Sequence, residues 1–136
     1  IFCGDHILPT ITPNISVMRD SDVNPLRDYL DSLAVAEQLP VIRAFPGHRD
    51  PFDTYAERIR EIRIHHDERL AVMESMLAEP ATGYDVCRRT FGSGLSNHQL
   101  RFAIAETLAH LFFLEQEGRV RRLTDGPDIR FVANSL

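Results

Sequence analysis

The sequence predicts an α+β chain on three observations. Two short apolar runs, IFCG at residues 1–4 and VIRAF at 41–45, are bounded by glycine and proline as strands are. Between and after them, apolar residues recur at helical spacing in stretches that open on capping residues and close on proline or glycine. The end of the chain reads as a hairpin, with RVRRL at 119–123 and IRFVA at 129–133 flanking the turn TDGPD. At 136 residues and 43% hydrophobic, the chain can build one modest domain or two small ones sharing a core.

The first strand runs into a loop at 7–23, which holds two prolines and little helical period. Asn24 is a good N-cap and Pro25 suits a first helical turn, after which Leu26, Tyr29, Leu30 and Leu33 mark one face of a helix ending near Gln38. Pro40 stops it, and VIRAF follows as the second strand. Thr54 and Glu57 form a T-x-x-E capping box for a long helix whose stripe is Ile59, Ile62, Leu70, Met73 and Leu77. Pro80 ends that helix. Thr82 and Asp85 open a shorter helix through about Phe91, and GSG at 92–94 makes a turn. Ser96 or Asn97 then caps a helix that Gly118 terminates in a left-handed conformation. Three helical segments and a terminal two-stranded hairpin make a winged-helix pattern, with the end of the long helix serving as its first helix.

Composition excludes several classes. The most apolar window, residues 102–114, is far shorter than the roughly 20 residues of a membrane span and contains Glu106 and His110, so a buried helix is expected and a membrane partner is not. Cys3 and Cys87 form no ligand spacing and read as free thiols in a reducing compartment, which points weakly to the cytoplasm. The net charge is −5, with 8 arginines against 14 acids in residues 1–79 and 7 against 6 in residues 80–136. No lysine occurs. This is not the basic footprint of a duplex-DNA binder.

Asp5 and His48 are the candidate chemical residues. Each follows a glycine at the end of an apolar run, in GDH and PGH, so two strand ends could converge on one site. Zinc takes carboxylate oxygen and imidazole nitrogen at about 2 Å, and a carboxylate can bridge two metals. One Asp and one His cannot complete even a four-coordinate site. His6, next to Asp5, reads equally as a residue of the metal pocket and as a loop histidine. His65 and His66 project roughly 100° apart on the long helix and read as a solvent-facing pair near Arg69. His98 and His110 lie too far apart on their helix to share a ligand.

IFCGDHILPTITPN followed by FPGH, the long helix with IHHDER, and the closing LEQEGRVRRL resemble the C-terminal part of a metallo-β-lactamase-fold hydrolase with a winged-helix tail. The resembled sub-group is related to the β-lactamase-like endoribonucleases and, more distantly, to glyoxalase II. The resemblance implies that Asp5 bridges two zinc ions and that His48 ligates one of them. It implies a metal-activated hydroxide attacking an ester, thioester, amide or phosphodiester of a small molecule or an RNA. The family's HxHxDH cluster, and one more ligand histidine, belong to an upstream half that is not in this sequence. On that reading residues 1–53 are a strand-helix-strand remnant of the αββα sandwich, 54–79 a connecting helix and 80–136 a winged-helix subdomain. The natural partner is then the missing N-terminal half, and the fragment alone is expected to bind zinc poorly and turn nothing over.

Two other readings stand beside this one. A complete winged-helix regulatory module would bind nucleic acid, through Arg119, Arg121, Arg122 and Arg130 of the hairpin. Against it, the polar stripe of the last helix, Gln99, Glu106, His110 and Glu117, repels DNA more than it attracts it, while single-stranded RNA stays open. The tail is expected instead to pack on the catalytic half and wall the substrate cleft. Alternatively, strands without their sheet neighbours pair edge to edge and make a homo-oligomer.

Overall fold

A computed structural model describes residues 1–17 and 24–134, so the end of the expected loop, 18–23, lies outside the described residues. The chain forms two compact units, Ile1–Asn14 with Asp28–Asp67, and Ile15–Arg27 with Glu68–Leu136. The architecture is α+β, as the alternation of runs and periods predicts.

In the first unit, β1 (Phe2–Gly4) and β2 (Phe45–Pro46) pair in parallel, Phe2 opposite Phe45 and Gly4 opposite Pro46. Their ladder includes Phe45 N–H donating to the Ile1 carbonyl at 2.8 Å and Gly47 N–H to the Gly4 carbonyl at 2.8 Å. Parallel strands need a long crossover, and α1 (Pro25–Glu37) lies in it. Asn24 caps that helix as expected, its Oδ1 accepting from the Arg27 N–H at 3.1 Å. The second strand is shorter than VIRAF. After Pro40 the Val41 N–H turns back to the Leu39 carbonyl at 2.9 Å; pairing along β1 begins only at Arg43, whose carbonyl accepts from the Ile1 amino group at 2.8 Å, and Ala44 makes a separate bridge to Phe52.

The long helix α2 (Tyr55–Ser75) turns Tyr55, Ile59, Ile62 and His66 inward at helical spacing, all of them buried. This corrects the expectation of a solvent-facing histidine pair. His66 is only 1% exposed and sits edge-on to the Tyr29 ring at 5.8 Å, occupying the gap in the apolar stripe between Ile62 and Leu70. Glu37 at the end of α1 accepts from Arg60 at 3.0 Å and Arg63 at 3.2 Å, which fastens the two helices within this unit. Arg58 fixes the loop after β1, donating to the carbonyls of Leu8 at 2.7 Å and Ile11 at 3.1 Å. Phe2 and Phe45 stack with ring centroids 5.2 Å apart, and Phe2 is 87% exposed.

The second unit holds α3 (Gly83–Phe91), α4 (Asn97–Gln116) and a three-stranded antiparallel sheet. Its strands are β3 (Ala81–Thr82), β4 (Val120–Leu123) and β5 (Arg130–Ala133), in the order β3-β5-β4. The expected hairpin is β4 and β5. The third strand has no counterpart in the sequence pattern, because two residues carry no alternation and are defined only by their partners, Phe131 and Arg130. Thr82 both ends β3 and caps α3 in a reciprocal box with Asp85, and Ser96 caps α4 in the same way with Gln99. Gly83 lets the two helices approach closely, since a Cβ there would meet Leu108 at 3.0 Å. Gly118, at φ +71°, ends α4 with the paired bonds of a Schellman motif, Arg119 N–H to the Leu114 carbonyl and Gly118 N–H to that of Glu115.

The inward face of α4 carries Ala103, Thr107, His110, Leu111 and Leu114. His110 is therefore buried and is not part of an exposed polar stripe; its Nδ1 meets the Glu106 carbonyl, one turn back, at 2.8 Å. Phe102, an apolar position of the helical pattern, is instead 44% exposed, and Arg101 beside it is exposed too. Among the described residues no helix is long and apolar enough to cross a membrane.

Candidate functional site

The site sits at the carboxyl ends of two parallel strands, where side chains from neighbouring strand tips converge. β1 ends in a tight turn closed by His6 N–H on the Cys3 carbonyl at 3.0 Å. Gly4 takes φ +51° there, a left-handed conformation that costs a residue with a Cβ roughly 1–2 kcal/mol. The turn presents Asp5. On the second strand the Gly47 N–H bond to Gly4 draws the two tips together, and glycine is needed because a Cβ at 47 would lie 2.6 Å from Asp5 Oδ1. His48 then reaches Asp5, Nδ1 to Oδ1 at 2.7 Å. The two residues singled out from sequence, 43 positions apart, are thus in direct contact.

With the proton on Nδ1 donated to Asp5, the His48 Nε2 lone pair stays available to a ligand. Both side chains are well exposed, His48 at 72% and Asp5 at 59%, so the pair is open to an incoming group. They also border a cavity of about 740 Å³ whose walls include Leu8, Ile11, Pro13 and Arg49. Arg49 follows His48 with φ 76°, a feature that no residue pattern announces.

A carboxylate oxygen and an imidazole nitrogen are zinc donors, so the pair fits such an ion in kind. It does not fit in number, because a catalytic zinc takes three protein ligands. Among the described residues no group of three or more His, Cys, Asp or Glu side chains is placed to hold a metal.

His6 lies apart from this cavity. Its Nε2 is 2.7 Å from Ser32 Oγ on α1, its ring is edge-on to Tyr29 at 5.4 Å, and burial pushes its pKa below the usual imidazole value. The Tyr29 hydroxyl donates to the His6 carbonyl at 2.9 Å, and burial raises that phenol while the nearby Arg58 charge opposes the shift. Neutral imidazole and neutral phenol hold the base of the Asp5 turn from behind. Ser32 and Tyr29 escape a reading of the sequence, since each looks like an ordinary helix residue until the fold brings it to the turn.

The cysteines are unsuited to nucleophilic work. Cys3 and Cys87 are free, and burial raises both thiols so that they stay protonated at neutral pH. Among the hairpin arginines, Arg119 is paired with Glu74, Arg122 with Glu115 at 2.5 Å, and Arg130 with Asp125 at 3.5 Å. Arg122 also lies over the rings of Phe112 and Phe131, at 4.7 Å and 5.6 Å. Arg121 is exposed.

Residues 70–134 match the sequence model described as metallo-beta-lactamase-like, C-terminal domain. A metallo-beta-lactamase family protein from Thermus thermophilus aligns at 34% identity and a TM-score of 0.86, over 98% of this chain and 41% of that one. A beta-lactamase domain protein from Burkholderia ambifaria aligns at 34% identity and a TM-score of 0.89, over 96% of this chain and 40% of its own. The chain thus spans about two fifths of the length of each. Among curated proteins nothing matches it. The sequence match and the structural likeness agree, and the chain belongs to the metallo-β-lactamase family, with that family's C-terminal domain in residues 70–134.

Proposed function

We propose that this chain contributes part of the metal site of a zinc-dependent hydrolase, and that the whole protein acts on an ester, thioester, amide or phosphodiester in a small molecule or an RNA. The observation that carries the reading is the 2.7 Å approach of His48 Nδ1 to Asp5 Oδ1 at the tips of two parallel strands. Asp5 and His48 would hold zinc, Asp5 as a bridge between two ions and His48 on one of them, with the remaining ligands coming from an upstream half of the fold. When bound, zinc supplies Lewis acidity and activates water. This chain's residues then have three tasks. Asp5 and His48 orient the ion, the glycine at 47 allows their approach, and Leu8, Ile11 and Pro13 give the adjoining cavity an apolar side.

The order β3-α3-α4-β4-β5 supports naming residues 80–136 a winged helix. Ion pairs already engage three of its four hairpin arginines, which favours a structural role over a nucleic-acid surface. The stacked, exposed Phe2 and Phe45 support coverage of β1 and β2 by the upstream half or, without it, by a second copy; light scattering from a strictly monomeric species at high concentration would count against the second copy. Two protonated free thiols accord with a reducing, cytoplasmic setting.

Calorimetric zinc titration tests the metal reading. The 136-residue chain should bind weakly and turn nothing over, and submicromolar binding to it alone would overturn the division of ligands. The whole protein should take up zinc and lose it in Asp5→Ala and His48→Ala. Full zinc stoichiometry in both variants would defeat the assignment.

A further inference from the structure

We propose that Arg49 is the anion receptor of the Asp5–His48 cavity and selects substrates that carry a carboxylate or phosphate close to the bond acted on. Three observations meet at this residue. Arg49 is the single non-glycine residue with positive φ among the described residues, at 76°. A left-handed backbone disfavours any side chain with a Cβ, and such strain persists where a side chain is wanted for its chemistry. Second, Arg49 brings its guanidinium to the cavity beside His48, where Leu8, Ile11 and Pro13 form an apolar side and Thr12 and Asn14 add neutral polar groups. Third, its guanidinium has no acidic partner among the described residues, although other arginines of this unit do. Arg43 makes a two-pronged pair with Asp53, Arg58 bonds Glu61, and Arg60 and Arg63 share Glu37. A planar fork of donors left open beside a cavity with an apolar side suits two oxygens of one anion. Identifying the bound anion as substrate rests on the hydrolase reading above; its capture by Arg49 does not.

The test is a titration of the metal-free full chain with inorganic phosphate and, separately, with acetate, into the tens of millimolar at constant ionic strength. Backbone amide shifts are followed by NMR, and acetamide serves as the neutral counterpart. At least one anion should produce saturable shifts confined to residues 5–14 and 47–50, and acetamide should not. The tighter arm tells phosphate from carboxylate. Arg49→Gly should bind that anion roughly tenfold more weakly, in line with loss of a charge-assisted hydrogen bond, while Arg49→Lys should keep most of the affinity. Because glycine relieves the left-handed conformation, Arg49→Gly should melt no lower than the parent, so its loss of binding is not a loss of folding. Equal affinity in Arg49→Gly, shifts that map elsewhere, or no anion-dependent shift at all would each overturn the assignment. Should the whole protein fail to take up zinc while Arg49-dependent anion binding persists, only the hydrolase reading falls.

Discussion

Replacing Gly47 with alanine separates the site from the stability of the fold. Gly47 does not adopt a left-handed φ, so alanine is allowed by the backbone, and the whole effect comes from the added methyl. That carbon would stand 2.6 Å from Asp5 Oδ1 and 3.3 Å from the Gly4 carbonyl carbon. The Gly4 contact can relax by a few tenths of an ångström. The carboxylate must retreat by at least about 0.8 Å to reach ordinary contact, which rotates Asp5 and opens its bond to His48. An off-rotamer side chain costs about 0.5–1.5 kcal/mol, and loss of an exposed side-chain hydrogen bond to a carboxylate about 0–1 kcal/mol. The stiffer unfolded chain offsets about 0.4–1 kcal/mol of this. Net stability should therefore change by about 2 kcal/mol or less. The geometry of the pair should change far more. In the isolated chain the ¹⁵N resonance of His48 Nδ1 should lose its hydrogen-bonded signature, and in the whole protein zinc affinity should fall at least roughly tenfold, the scale seen when groups orienting a metal ligand are disturbed. An unchanged His48 resonance together with unchanged zinc affinity would refute the claim that Gly47 is there to admit Asp5.

Gly4→Ala should behave in the opposite way, since nothing lies within 4 Å of its added carbon yet φ is +51°; urea unfolding should show a loss of about 1–2 kcal/mol. Thr82→Ala removes the Oγ1 arm of the cap on α3 while the backbone N–H at 82 can still donate to Asp85, and it should cost about 1 kcal/mol in the same assay. The folded pKa of His6 is depressed by burial, so its contribution to stability is fully present above the unfolded imidazole value near 6.5 and is lost as pH falls through the folded value. Unfolding free energies measured from about pH 7.5 down to about pH 5 should decline more steeply for the parent than for His6→Gln. Leu114→Ala, at a fully buried position on α4, should cost about 2–5 kcal/mol, and a value under about 1 kcal/mol would mean that the helix face is misassigned.

What can be read from the sequence is local. The cap of α3 by Thr82 and Asp85 and the stop at Gly118 depend on residues a few positions apart and stand where their patterns place them, and of the two candidate caps for α4 the structure selects Ser96. Strand β3 depends on Phe131 and Arg130, some fifty residues away, so no local pattern could reveal it. His66 and His110 read as outward-facing because imidazole is polar, although each falls on the inward period of its helix. The Tyr29 ring packs edge-on against the first, and the second meets a backbone carbonyl one turn back. Asp5 and His48 are recognisable as a pair through glycine-terminated strand ends and a family likeness. The left-handed backbone of Arg49 is not, because Arg-Asp-Pro after a histidine does not by itself demand a positive φ.

The parallel pairing of β1 with β2 also sets an order of events. Bringing Asp5 to His48 closes a loop of 43 residues, whereas the β4–β5 hairpin closes across the six residues between Leu123 and Arg130. By the logarithmic growth of closure entropy the first costs about 1.7 kcal/mol more than the second before any contact repays it. In a refolding chain the hairpin should acquire amide protection before the Asp5–His48 corner, whose two strand tips meet only once more local structure has formed.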